Sequence, residues 1–496
     1  MDYISGESRE QTALLPDSIE DYVDGNNPVR VIDAYIDSLD MAELGFTNAE
    51  LKDTGRPPYN PKDMLKLYVY GYMNRIRSSR RLESDANRNL EVIWLIRTLA
   101  PDHKTIARFR HENGAALKNV FRDFVKVCKN QDLYGRELIA IDGSKFKAVN
   151  SHARNYTKDQ IANKITKITS KIDEYLKELD SNDSAEDAVN GKKTKEEITE
   201  IVNSLRNHKE RYQGYADELE KTGEKQKSLT DPDSRLMTSN GMKMDVCYNV
   251  QTAVDAENKL IVDFEVSNQG NDKNFIAPMA KKAQEILETE KITAVADAGY
   301  ESIGDILKAR EQGVDVHVAG TDFDVCIPAK EGEASKEITS HHKGRCVYIR
   351  ERNIALCPMG NVLYPSSHKR NKKKGPWGVF RNSEACKQCP SRCTKDASGR
   401  IDYLVPMKKE DFSKEYNAQN LAVKQIRIKP DKEIVKLRKS IVEHPFGTVK
   451  RAMDAGYCLT KRLKNVSGEF SLTFLAYNLK RAINILGCRK MIEILT

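Results

Sequence analysis

Arg136-Glu137-Leu138-Ile139-Ala140-Ile141-Asp142-Gly143-Ser144 is a short apolar run that reaches an acid and then turn-forming residues, the pattern of a buried strand that ends at Asp142. Ile292-Thr293-Ala294-Val295-Ala296 does the same, running into Asp297 and the turn Ala298-Gly299-Tyr300. Ligands bind at strand ends in α/β sheets. If the two strands are neighbours, their carboxylates converge and repel, which is costly unless divalent cations neutralise them. Hard oxygen ligands suit Mg²⁺ or Mn²⁺, and a pair of such ions can activate a water or a 3′-hydroxyl while stabilising the leaving oxygen of a phosphodiester. A single aspartate at a strand end is more often an ordinary turn or capping residue, so the context shared by the pair carries the reading. Asp245 and Asp272 stand in reserve.

Outward from these strands the pattern is that of a mixed α/β sheet flanked by helices. Asp245 to Val254 and Leu260 to Val266 form a β-rich hairpin around Asp255-Ala256-Glu257-Asn258. A helix with Phe275, Ile276, Met279, Ala283, Ile286 and Leu287 on one face leads to the second aspartate strand, and Val314, Val316 and Val318 alternate as a further strand. Between residues 153 and 228, Ile161, Ile165, Ile168, Ile172, Leu176 and Leu179, then Ile198, Ile201, Leu205, His208, Tyr212, Tyr215 and Leu219, recur at steps of three and four. That spacing describes an antiparallel helical hairpin or a dimerising coiled coil, with His208 packed in the seam. Residues 1–134 read as helical, with Asn60 and Pro61 starting one helix and Asp102 another. The second carries Arg108 and Arg110 and suits either a helix laid on DNA or an all-helical packing unit.

A third acid lies in Arg438-Lys439-Ser440-Ile441-Val442-Glu443-His444-Pro445-Phe446-Gly447-Thr448-Val449-Lys450-Arg451. If this is helical through Pro445, Glu443, Phe446 and Lys450 share one face, putting a carboxylate toward the metals and a lysine toward a DNA phosphate or base. The bland alternative is an exposed charged helix with a solvated His444. Leu472, Leu475, Leu479, Ile483 and Leu486 form an apolar stripe on the last helix.

The chain has 496 residues, enough for several domains; 39% are hydrophobic and 31% charged, and the net charge is +8. No run approaches the ~20 apolar residues of a membrane span, and the start, Met-Asp-Tyr-Ile-Ser-Gly-Glu, is unlike a secretory signal, so a cytoplasmic protein is expected. Basic residues cluster at Arg75, Arg77, Arg80 and Arg81, at Lys369, Arg370, Lys372, Lys373 and Lys374, and at Lys461, Arg462 and Lys464. Each cluster can meet phosphate or simply be a solvated face. Five of the ten cysteines cluster within residues 346–393 of the segment 321–430: Cys346, with His341 and His342 just before it, then Cys357, Cys386, Cys389 and Cys393. The last four can form a structural Zn²⁺ site, although they do not make a regular paired ribbon; reduced buried thiols and an iron–sulfur cluster are the alternatives.

Six short motifs occur in order along most of the chain: Gly55-Arg56-Pro57-Pro58-Tyr59, Pro101-Asp102-His103-Lys104-Thr105-Ile106-Ala107-Arg108-Phe109-Arg110, Ile141-Asp142-Gly143-Ser144, Asp231-Pro232-Asp233-Ser234-Arg235, Ala296-Asp297-Ala298-Gly299-Tyr300 and Val442-Glu443-His444-Pro445-Phe446-Gly447. With them the chain resembles a bacterial insertion-sequence DDE transposase of the insertion-sequence-four/five-like superfamily, most like its eleven-eighty-two group. The resemblance implies an RNase H-like core and a triad of Asp142, Asp297 and Glu443 on two Mg²⁺ or Mn²⁺ ions. It further implies that the protein cleaves transposon ends at terminal inverted repeats and joins them to target DNA. The family's lysine seven places after the glutamate is met by Lys450; its upstream tyrosine and arginine are not, since Lys436 and Lys439 stand there and Arg438 is one residue out of register.

The layout expected is a helical DNA-binding unit at 1–134, a catalytic core at 135–152 and 229–320, a helical insertion at 153–228, a cysteine-containing insertion at 321–430, and helices completing the core at 431–496. Lys450, Arg451, Arg108, Arg110 and Arg438 are the expected DNA contacts. Double-stranded DNA, both transposon ends and target, is the expected partner at the nucleoid, and binding two ends is compatible with a homodimer. A metal-dependent nuclease of the same fold without a joining step, and a catalytically inactive DNA-binding regulator, are the competing readings.

Overall fold

The structure, a computed structural model, describes residues 18–50, 57–183, 195–238, 244–330, 333, 337–371, 375–393 and 401–496. Gly55, Arg56 and Lys372 to Lys374 lie outside them. The N-terminal part is helical: α1 (Pro28–Asp37), α2 (Pro61–Met73), α3 (Ser79–Ala86), α4 (Leu90–Leu95), α5 (His103–Glu112) and α6 (Gly114–Asn130). Local chemistry sets the starts. Asn27 and Asn60 each accept a backbone N–H from two residues on, with proline in the first turn, and Asp102 accepts from Lys104 and Thr105.

The central sheet is built from β1 (Leu138–Lys147), β4 (Arg235–Thr238), β5 (Met244–Asp255), β6 (Ile261–Ser267), β7 (Ile292–Ala296) and β8 (Val314–Val318), after the small strands β2 (Asn155–Thr157) and β3 (Gln226–Ser228) have paired with each other. Its path is β4-β5-β1-β7-β8, with β6 also on β5. The β1, β5 and β6 ladders are antiparallel, whereas β7 runs parallel to both β1 and β8. Helices α9 (Ile276–Leu287) and α10 (Ile303–Glu311) provide the crossovers. One expectation needs correction: β1 does not end at Asp142 but continues to Lys147, because Asp142 through Lys147 go on pairing with Thr252 through Cys247 of β5. What ends near Asp142 is the parallel neighbour β7.

Helices α7 (Lys158–Asp183) and α8 (Lys195–Thr222) pack along each other around Ile172, Ile198 and Val202. Because β2 precedes α7 and its partner β3 follows α8, the two helices are antiparallel. His208 is exposed, not packed in the seam as expected; Val202 is buried instead. Farther on, β9 (Phe323–Pro328) pairs with β15 (Val423–Ile428). The chain between them forms a separate five-stranded sheet, β10 (Val347–Ile349), β11 (Ile354–Leu356), β12 (Val362–Asn371), β13 (Gly375–Arg381) and β14 (Tyr403–Pro406), with α11 (Ser383–Gln388) and α12 (Lys409–Phe412).

The chain finishes with α13 (Lys432–Gly447), a π-helical turn at Thr448–Ala452, α14 (Leu463–Leu486) and α15 (Cys488–Leu495). The stripe expected on α14 understates it, since every residue from Gly468 through Leu479 is buried. It packs on α2, α5, α6 and β6 and so joins the N-terminal helices to the sheet. Its approach to α6 depends on two glycines. A Cβ placed on Gly468 would lie 2.8 Å from the Cα of Gly114, closer than carbon atoms tolerate. Gly468→Ala would gain about 1 kcal/mol of helix propensity in isolation. Here it forces two backbones apart, and a net loss of about 1–3 kcal/mol is expected, read as a lower urea midpoint with an unchanged slope.

Candidate active site

Asp142 and Asp297 come together through strand register. Paired positions of β1 and β7 differ by 155 (Ala140 opposite Val295), and so do Asp142 and Asp297 (297 − 142 = 155), so the two acids continue the ladder just beyond Ala296. Neighbouring strands lie roughly 5 Å apart. Asp297 is turned by its own cap: Oδ1 accepts the Gly299 N–H at 2.8 Å, while Asp142 Oδ1 accepts the Gly143 N–H at 3.0 Å. Burial pushes the Asp142 carboxyl up to about 6; Arg438 pulls the other way, and Asp297 and Asp272 add to the rise. Arg438 Nη1 lies 3.6 Å from Asp142 Oδ2.

Asp272, in the loop between β6 and α9, is the third carboxylate of this group. Its Oδ1 accepts from Lys145 Nζ at 2.9 Å, Asn249 Nδ2 at 2.7 Å and Gln251 Nε2 at 2.8 Å. The glycine of Asp142-Gly143 is required by this crowding, because a Cβ there would stand 2.7 Å from Asp272 Oδ1. Beneath lies Tyr300, buried, its hydroxyl donating to Gln251 Oε1. Burial first, then Asp142, Asp272 and Asp297, drive the Tyr300 phenol well above its ordinary range. Asp272 stood only in reserve in the sequence. Gln251 carried a readable signal, a polar residue within the run Val250-Gln251-Thr252-Ala253-Val254 and fully buried in the fold.

Helix α13 lies across β1 and β7, but not with the face the sequence suggested. Ile441, Val442, Pro445 and Phe446 face the protein, and Phe446 packs on Phe146. Lys450 reaches β1, its Nζ donating to Ser144 Oγ at 2.6 Å and to the Lys145 carbonyl at 3.1 Å. Burial lowers the Lys450 ammonium, and the neighbouring Asp142 partly restores it. Glu443 points elsewhere: its side chain is 64% exposed and its carboxylate is 3.7 Å from Lys439, one turn back. Among the described residues no three His, Cys, Asp or Glu side chains are close enough to hold a metal ion as they stand. Asp245 pairs with Lys147 at 3.7 Å, at the far end of β1 from Asp142.

Of the expected DNA contacts, Arg108 and Arg451 are exposed and Arg438 is half-buried against Asp142. Arg110 is a correction. It is buried, donates to Tyr72 Oη at 3.0 Å and stacks over Tyr68, so its charge holds α5 on α2 and does not face solvent. Arg77 is likewise internal, 3.2 Å from Glu469. Arg108 lines a recess of about 680 Å³ between Pro57-Pro58-Tyr59 and α5, where two of the six motifs meet. Asp231 and Asp233 of another motif accept the N–H groups of Arg462 and Leu463, each at 2.9 Å, and so cap α14. No described helix is long and apolar enough to cross a membrane.

Comparison with known proteins supplies independent support. Residues 17–112 match a family model described as a transposase domain of the DUF772 type, and residues 356–483 match a transposase DDE domain. The second match takes in Glu443 and the cysteines at 357, 386, 389 and 393 but neither Asp142 nor Asp297. No curated protein matches. Among solved structures, the piggyBac transposase synaptic complex with hairpin DNA, determined by cryo-EM, is 10% identical with a TM-score of 0.28 over 95% of this chain and 78% of that one, too low to carry an argument. The two family matches support a DDE-type DNA transposase, with the nuclease and transferase activity general to such domains, which use divalent metal ions.

The burial of Asp142 has a measurable cost. Its carboxyl sits near 6 instead of 3.8. The fold therefore favours the protonated acid: the penalty is absent below pH 3.8, grows as pH rises, and is complete above about 6, at roughly 3 kcal/mol. A neutral amide at this position removes the penalty but also the charged partner of Arg438. Metal-free Asp142→Asn is expected to be more stable by about 1–3 kcal/mol at about pH 7.5, with the difference vanishing below about pH 4. Thermal unfolding across that range measures it.

Proposed function

We propose that this protein is a bacterial insertion-sequence transposase, most like the eleven-eighty-two group, with an RNase H-like catalytic core that cleaves transposon ends at terminal inverted repeats and joins them to target DNA. The observation that carries the reading is the placement of Asp142 and Asp297 at one register on adjacent parallel strands, half-buried and electrostatically coupled. Two acids so placed repel unless a cation lies between them, and all-oxygen donors suit Mg²⁺ or Mn²⁺. The chemistry such ions supply when bound is activation of the attacking hydroxyl and stabilisation of the leaving oxygen.

Within this reading Asp142 and Asp297 are the fixed ligands. Each has one oxygen committed to a local N–H, which holds the other toward the shared space. Arg438 keeps Asp142 turned into the site and stands within reach of a phosphate bound there. Lys450, at the rim of β1, and exposed Arg451 and Arg108 bind the DNA backbone. Water attacks the phosphodiester at the transposon end, and the freed 3′-hydroxyl attacks target DNA. The third acid is Glu443, whose loose ion pair to Lys439 leaves it free to turn when DNA is seated. Asp272 is the rival for that place, since it already lies beside the pair. The protein acts at the nucleoid, as a homodimer that holds two ends.

The test is cleavage and joining of DNA carrying the inverted repeats that flank the gene, with Mg²⁺ or Mn²⁺. Asp297→Ala should lose on the order of 1,000-fold, because several kcal/mol of charge stabilisation disappear and roughly 1.4 kcal/mol is tenfold. Full activity of Asp297→Ala would sink the assignment, and cleavage without joined product would leave a nuclease. Comparing Glu443→Gln with Asp272→Asn identifies the third acid: the true ligand should fall with Asp297, while the other should lose about tenfold to a hundredfold at most.

A further inference from the structure

The five-stranded sheet β10–β14 has little core of its own. Among the described residues its buried apolar cluster is Ala355, Leu363 and Phe380, edged by half-buried side chains that include Cys346 and Cys357. Units with so small a core are usually held by disulfides or by a structural metal. Here all the cysteines are free thiols. Five of them, Cys346, Cys357, Cys386, Cys389 and Cys393, line a single cavity of about 230 Å³ at the edge of this sheet.

Backbone geometry directs these sulfurs. Cys357 opens the turn Cys357-Pro358-Met359-Gly360-Asn361, which Gly360 closes at φ +80°. Gly360 N–H donates to the Cys357 carbonyl at 2.9 Å, and Asn361 N–H donates to Cys357 Sγ at 3.3 Å. An N–H aimed at sulfur is an outer contact that fixes the orientation of a metal-binding cysteine. Across the cavity α11 carries Cys386 and ends at Cys389, and Cys393 follows with His341 Nε2 3.1 Å from its Sγ. We propose that Cys357, Cys386, Cys389 and Cys393 bind one zinc ion that staples β11 and α11 together as a structural tetrathiolate site. Cys346 runs directly into β10 without such a turn and forms the cavity wall, and His341 supports Cys393 from outside. The sulfurs now ring the cavity without meeting at a point, so binding draws the exposed Cys393 inward. The four cysteines lie in the chain between β9 and β15, which carries none of the acids, and the site does not depend on the transposase reading.

The experiment is metal analysis of the full chain purified without chelator. Close to one zinc per chain is expected, retained in Asp142→Ala and in Cys346→Ser, and lost in Cys357→Ser and in Cys386→Ser with Cys389→Ser. Because those variants can misfold, Co²⁺ is also titrated into chelator-treated wild-type protein, where thiolate-to-metal absorption and protection of four thiols from a disulfide reagent should appear together. Wild-type protein that is metal-free and develops no such absorption overturns the proposal, as does iron with a cluster spectrum. Loss of zinc in Cys346→Ser with retention in Cys357→Ser overturns the ligand assignment.

Discussion

From Gly468 through Leu479 helix α14 has no face in water, so each polar side chain in that stretch must find a partner inside the protein. Asn478 meets this by accepting the Ile261 N–H at 2.9 Å and donating to the Ile261 carbonyl at 2.8 Å, which seats the helix on the free side of β6. Glu469 accepts the backbone N–H groups of Leu459 and Thr460 and the guanidinium of Arg77 from the N-terminal helices. Such a pair adds little by itself, yet losing one member strands a buried charge at a cost of roughly 3–5 kcal/mol. Asp231 and Asp233 close the helix start. The N-terminal helices, the sheet and the C-terminal segment are thereby locked into one relation, and it is this relation that lays α13 across β1 and β7.

The acidic cluster is the converse case, a place where charges are gathered without full compensation. Asp142, Asp272 and Asp297 face Arg438, Lys145 and Lys450. Lys145 is committed to Asp272 at 2.9 Å, and Lys450 to Ser144 and a carbonyl. The Asp142 carboxyl stays raised despite Arg438 beside it, so the protein's own cations leave it under-neutralised. A fold that keeps acids together in this way stores instability where a cation would relieve it.

Much of this was readable from local pattern. The strand Ile292–Ala296, the β5–β6 hairpin and the caps at Asn60 and Asp102 follow from alternation and capping chemistry that act within a few residues. The two aspartates were found because each ends an apolar run. What the pattern could not give was facing. Arg110 and Arg77 look like solvent-facing cations in sequence, and only the surrounding Tyr72, Tyr68 and Glu469 turn them inward. Glu443 shares helical spacing with Phe446 and Lys450, but α13 seats Ile441, Val442, Pro445 and Phe446 inward and leaves Glu443 in water, and the π-turn from Thr448 breaks the register of three and four before Lys450. The continuation of β1 past Asp142 likewise depends on β5, a distant segment of the chain.

The pairing of β9 with β15 places Pro328 opposite Val423, so the chain leaves the core and returns to it at adjacent points. Closing a loop becomes costlier only with the logarithm of its length, about 0.6 kcal/mol for each doubling. The core is therefore nearly indifferent to how much polypeptide is threaded between those two strands. Natural variation can lengthen, shorten or exchange the segment there, a slot for invention that leaves the ancestral machinery undisturbed.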